Sequence, residues 1–160
     1  MKILKFPDPR LSKKTNPVTV FGPELKKLLS SMHETMVVEG GIGLAANQVG
    51  LEFRMFVMLD REGNLLSLVN PEVVWSSKKP APIKEGCLSA PGTYVVLNRP
   101  CIVKITFQDQ DGNAQTTLFN DIQAVCAQHE IEHLDGKSFL QHKALTKQKK
   151  QELTHKWGLK

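Results

Sequence analysis

Gln128-His129-Glu130-Ile131-Glu132-His133-Leu134-Asp135-Gly136 contains an H-E-x-x-H core, and the residues leading into it repeat at helical spacing. Asp121 suits the N-cap, after which Ile122, Val125, Cys126, His129 and His133 fall on one stripe of the helix. Four residues are about one turn, so His129 and His133 project side by side. Two imidazoles held this way can chelate one divalent metal. Glu130 starts a little round the cylinder, where its carboxylate can reach a water beside that metal without being a ligand. Both histidines lie on the apolar side of their helix, where unpaired imidazoles are costly to bury, and this favours a metal over a chance pair. Gly136 then ends the helix cheaply.

Upstream of this helix the pattern is mixed. Pro7, Pro9 and Pro17 keep residues 1–20 irregular, with one turn at Asp8–Leu11 that packs Leu11 inward. Pro23 opens an amphipathic helix over 23–38, with Leu25, Leu28, Leu29, Met32 and Met36 on its inner face. The glycines of Gly40-Gly41-Ile42-Gly43-Leu44-Ala45-Ala46-Asn47-Gln48-Val49-Gly50 argue against helix or regular strand there. No Gly-Lys-Ser/Thr closes the stretch, so it is no phosphate loop; a backbone pressed against a small site fits better, with the Gln48 amide available to a substrate oxygen.

Strands are predicted at 54–60 and 65–70, with Pro71 interrupting before Glu72–Trp75, and Lys78–Pro82 and 86–93 read as loops. Tyr94–Leu97, Cys101–Gln108 and Gln115–Phe119 follow as strands, the last two joined by a hairpin at Asp109–Asn113. Residues 145–157 suggest a terminal helix pinned by Leu153 and Trp157. The expected fold is α+β: short antiparallel strands packed around a central metal-binding helix, with an N-terminal amphipathic helix and a C-terminal helix.

The 160 residues suit one domain, 1–160, with 41% hydrophobic and 23% charged residues in ordinary globular proportion. Three scattered cysteines do not make a disulfide framework and point to a reducing compartment. The N-terminus has no signal-like apolar segment, and nothing approaches the run of about 18 apolar residues that spans a bilayer. A soluble, cytoplasmic protein with no membrane partner is expected. Much of the +5 net charge sits in Lys143, Lys147, Lys149, Lys150, Lys156 and Lys160, opposed only by Glu152. Such a run is an ordinary solvated helix face or a surface that meets RNA or a ribosome.

H-E-x-x-H supplies two ligands, and a catalytic site needs a third and an open position. In metzincin-like proteases a third histidine follows at a position that is Phe139 here, and His142 lies three residues beyond. Upstream, Glu85-Gly86-Cys87-Leu88-Ser89-Ala90-Pro91-Gly92 offers a thiolate in a loop, and a Cys-His-His set suits zinc or ferrous iron. Cys101 and Cys126 read instead as small buried hydrophobes.

Three motifs, Gly41-Ile42-Gly43-Leu44-Ala45-Ala46-Asn47-Gln48, Glu85-Gly86-Cys87-Leu88-Ser89 and Gln128–Gly136, together with Ile3–Leu11, make the chain resemble the peptide deformylase family over nearly its whole length. That family hydrolyses the N-formyl group from the N-terminal formylmethionine of nascent polypeptides and releases formate. The resemblance implies Cys87, His129 and His133 as ligands of one divalent metal per chain, ferrous iron natively, with zinc or nickel able to take its place. It implies Glu130 as general base and then acid, and Gln48 and the Leu88 N–H as donors to the formyl oxygen. Gly43, Glu85 and Gly86 would hold the peptide extended, and Ile42, Ile83, Ile122, Val125, Cys126 and His129 would line the methionine pocket. N-formylated nascent peptides are the implied partners, with a ribosome contact through the basic C-terminal helix, and a monomer is expected.

Some positions depart from the family pattern. Glu132 stands where Asp is commoner, Ala90 where Val or Ile is, Asp121 where Gly is frequent, and Tyr94 where some members have a peptide-gripping arginine. Two other classes answer the same residues: a metallopeptidase that cuts between residues, and a basic RNA-binding protein with a closed structural metal.

Overall fold

In the computed structural model, residues 1–159 are described; Lys160, the last of the basic residues named above, lies outside them. Helix α1 spans Pro23–Val38, α2 Asp121–Leu134 and α3 Lys147–Trp157. The strands are β1 Gly43–Ala45, β2 Met55–Leu59, β3 Leu65–Ser76, β4 Pro80–Gly86, β5 Tyr94–Pro100, β6 Ile102–Gln108 and β7 Ala114–Asn120. They form an antiparallel sheet in the order β1-β2-β3-β6-β7 and a separate two-stranded sheet, β4-β5. The fold is α+β, with α2 between flanking helices and sheet.

α1 begins at Pro23, where a missing N–H costs nothing, and buries Leu25, Leu29, Met32 and Met36 against β1 and β2. On β6, Val103, Ile105 and Phe107 are buried while Lys104 is exposed, the alternation of a strand with one dry face. α2 lies against the same core through Ala124, Cys126, Ala127, Ile131 and Leu134. Its end is closed by Gly136, at φ +70, whose N–H donates to the His133 carbonyl at 2.9 Å. A second, smaller core unites Phe6, Leu11, Val95, Leu97, Phe139, Leu140 and Leu153 beneath β5 and α3.

Five expectations need correction. Pro71 does not interrupt its strand: β3 runs through it, because the β2 ladder stops at Val69 and the β6 register slips between Val69 and Glu72. A residue without an N–H loses no ladder bond at such a slip. Pro80 and Pro82 belong to a strand rather than to a loop, since β4 pairs only with β5 and has a free edge. Gly43–Ala45 forms a short strand on β2 in spite of the surrounding glycines. Asp121 is no N-cap: Asn120 holds that position, and Asp121 is the first helical residue, at φ +51, with its carboxylate on Arg61 at 2.8 Å. α3 starts at Lys147 with Thr146 as its cap, and not at 145. Among the described residues, no helix is long and apolar enough to cross a membrane.

Candidate metal centre

α2 presents His129 and His133 one turn apart, with their Nε2 atoms 3.2 Å from each other. Cys87 comes immediately after β4, where the chain turns back with the Ala90 N–H on the Cys87 carbonyl, and its Sγ lies 3.1 Å from His133 Nε2. The three ligand atoms all lie within 4.8 Å of one another. Two ring nitrogens and a sulfur that converge this closely suit a shared cation, and the Cys-His-His chemistry suits one divalent metal with a position left open. His142 does not join them: its Nε2 sits 3.3 Å from Glu132 Oε1. Phe139 packs its ring on His129, the centroids 5.3 Å apart.

A layer of charge stands behind the ligands. His129 Nδ1 donates to Glu85 Oε2 at 3.0 Å, which leaves Nε2 to face Cys87 and His133. Arg99 donates to Glu85 through Nε at 2.6 Å and Nη2 at 2.9 Å, and to Glu132 through Nη1 at 2.7 Å and Nη2 at 3.0 Å. Burial alone would raise the Glu85 carboxyl, but the His129 and Arg99 hydrogen bonds outweigh it and hold the group at about 2. Sequence reasoning missed Arg99 and gave Glu85 only a backbone role. A signal was present: Arg99 shares the inward register of β5 with Val95 and Leu97, a place where a cation needs buried partners.

Glu130 is buried, and its Oε2 has no partner among the described residues. Burial pushes its carboxyl up to about 7, against the opposing pull of His129 and the Ala45 N–H. Gln48 is held rigidly: Oε1 accepts from the Ala45 N–H at 2.9 Å, while Nε2 donates to Ser89 Oγ at 3.1 Å and to Cys87 Sγ at 3.4 Å. The Leu88 carbonyl takes the Lys5 ammonium at 2.6 Å, which fixes the loop after Cys87.

These groups open onto a cleft of about 490 Å³. Ile42, Gly43, Gln48, Glu85, Gly86, Cys87, Leu88, Ile122, Val125, Cys126, His129 and Glu130 all line it. Ile42 and Ile122 stand half exposed at its mouth, at 46% and 48%, whereas Val125 and Cys126 are buried deeper. Ile83 is not part of this lining: it sits two residues before Glu85 on β4, paired with Leu97. Tyr94 forms part of the outer wall under the Lys84 ammonium, 4.8 Å from the ring centroid, and Ala90 is buried behind it. A wider hollow of about 920 Å³ between α1 and the strand hairpins includes His33, Ser67 and Phe107 but none of the ligand set.

The family model described as polypeptide deformylase matches residues 1–151. A peptide deformylase of Brucella suis is 42% identical over 144 residues, covering 88% of this chain and 82% of the relative. One from Zymomonas mobilis is 39% identical over 150 residues, covering 89% and 85%. The crystal structure of peptide deformylase from Ehrlichia chaffeensis superposes with a TM-score of 0.90 at 34% identity, over 99% of this chain and 94% of that one.

Proposed function

The chain belongs to the polypeptide deformylase family, and on that premise we propose how its residues divide the metal-dependent hydrolysis of N-formylmethionine at the start of nascent polypeptides. Cys87, His129 and His133 hold the metal, which when bound polarises the formyl group and acidifies water. Glu130 takes a proton from the attacking water and returns it to the departing amine, so that formate leaves. The Gln48 amide, exchanging its long contact with Cys87 Sγ for substrate, and the Leu88 N–H receive the formyl oxygen as charge grows on it; losing one such donor typically costs about 3 kcal/mol in the transition state. Gly43, Glu85 and Gly86 offer backbone to an extended peptide, and Ile42, Ile122, Val125 and Cys126 receive the methionine side chain.

The observation that carries the assignment of Glu130 is its setting: a buried carboxylate with an unpartnered Oε2, next in sequence to His129 and on the wall of the same cleft. A carboxylate held there can both accept and return a proton. Ferrous iron is the proposed native metal, with zinc or nickel able to occupy the same donors; one thiolate and two imidazoles suit each of them. The protein is proposed to act as a cytoplasmic monomer. Its α3 would meet the ribosome through Lys147 and Lys150, its inner side being held by buried Leu153 and by Lys156 Nζ and Trp157 Nε1 on Thr93 Oγ1.

Formate release from formyl-Met-Ala-Ser by protein prepared without oxygen and assayed for bound metal tests the reading. Rapid release with one metal per chain is expected. A fully metallated sample that releases none would overturn it, and cleavage of an internal peptide bond in place of deformylation would select a metallopeptidase.

A further inference from the structure

The three ligands come from parts of the molecule that share no strand ladder. Cys87 follows β4, which pairs only with β5, whereas His129 and His133 ride α2 on the other sheet. Arg99 spans the gap. It is 3% exposed, projects from β5, and grips Glu85 on β4 and Glu132 on α2 with a two-bond fork on each. Glu132 lies between the two histidines in sequence, and Glu85 in turn accepts from His129 Nδ1 at 3.0 Å. His142, just after the short 3-10 turn Phe139–Gln141, adds a contact on Glu132.

We propose that Arg99 and Glu132 are positioning residues that lock the Cys87-bearing sheet to the histidine helix, and that through Glu85 they fix the orientation and tautomer of His129. A second tie exists: the Gln48 amide meets Cys87 and Ser89, and neighbouring Asn47 donates to the His133 carbonyl. That tie holds the backbone of His133 and leaves the His129 ring to the Arg99 route. Planar forks on two carboxylates constrain direction as well as distance, which a single ammonium cannot do. Neither residue lines the cleft.

The test is Glu132→Gln, which keeps the shape and removes the charge, beside Arg99→Lys, which keeps the charge and removes the fork. Zn²⁺ affinity is measured by competition with a chromophoric chelator, and the His129 tautomer by long-range ¹H–¹⁵N NMR on metal-free protein, at a pH high enough for the ring to be neutral. Both variants are expected to bind Zn²⁺ about 10- to 100-fold more weakly than the parent. Their His129 is expected to shift from a single Nδ1–H form to a mixture of tautomers. Either variant, folded by circular dichroism, with parental affinity and an unmixed tautomer would overturn the proposal whatever its melting temperature. Should Glu132→Gln not fold, Arg99→Lys decides on the same two readouts. Both concern metal binding and an imidazole, so the outcome is independent of whether the enzyme deformylates peptides.

Discussion

Gly43 sets how near the backbone comes to the base. A Cβ built there would stand 2.5 Å from Cys126 Sγ and 2.6 Å from Glu130 Oε1, so any side chain must displace both. Gly43→Ala is expected to cost about 1–3 kcal/mol of stability by overpacking. It should also lower turnover at least tenfold while metal content stays at the parental level, since the carboxylate is displaced and neither displaced group is a ligand. Melting temperature, metal analysis and formate release check the three parts. Glu130→Gln is the cleaner probe of the same group: metal retained, formate release lower by about 10²–10⁴. Near-normal turnover in a fully metallated Glu130→Gln would remove Glu130 from the chemistry. At this scale the sequence was informative about identities. A glycine stretch said that backbone approaches something, and H-E-x-x-H said where a base would lie. What Gly43 approaches was hidden, because Cys126 and Glu130 arrive from α2 only when β1 packs beneath that helix.

The elements show which local signals reach the fold. α1 was legible at both ends, from Pro23 through a stripe of leucine and methionine, because an amphipathic helix is written in its own period. β4 was not, since its prolines look like loop and only the free edge of the two-stranded sheet makes them admissible. Nor was the start of α2. Asp121 has the composition of a cap but holds a left-handed backbone, φ +51, and its ion pair with Arg61 is exposed. An exposed pair of this kind contributes little, whereas a non-glycine residue in this region costs about 1 kcal/mol, somewhat less for Asp. Asp121→Gly is therefore expected to leave stability unchanged or to raise it by up to about 1 kcal/mol, measured by urea unfolding. A loss above about 1 kcal/mol would mean that the Arg61 contact holds the helix start. Asn70 is the opposite case. It too sits at φ +50, but its side chain accepts from the Val18 N–H and donates to the Val18 carbonyl and to Gln108 Oε1, all at 2.8 Å. Asn70→Ala should cost about 3 kcal/mol, from three hydrogen bonds and the left-handed backbone together.

Across the whole molecule, two buried carboxylates beside the ligand set pull stability in opposite directions with pH, and in metal-free protein the balance is measurable. Glu85 has a folded pKa of about 2, below its ordinary 4.5. The ionised form is favoured by folding, so its contribution is complete above pH 4.5 and is lost as pH falls toward 2. Glu130 has a folded pKa of about 7, above its ordinary 4.5. There the protonated form is favoured, so its contribution is complete below 4.5 and is lost as pH rises through 7. Each displacement corresponds to about 3 kcal/mol. Unfolding free energies of the metal-free protein are therefore expected to peak near pH 4.5 in the part that these two groups supply, with a slope on either side. Glu130→Gln should flatten the slope between pH 4.5 and 7 and leave the acid side alone. Glu85→Gln should flatten the acid side, and it should also lower stability throughout by about 3–5 kcal/mol, because Arg99 stays buried with half of its charge partners gone. A parental slope above pH 4.5 surviving in Glu130→Gln would assign that slope to other groups. Bound metal should reverse the neutral limb, since a cation beside Glu130 favours its ionised form and deprotonated ligands bind more tightly. Metal-loaded protein is then expected to gain stability from pH 5 to 7, where the metal-free protein loses it.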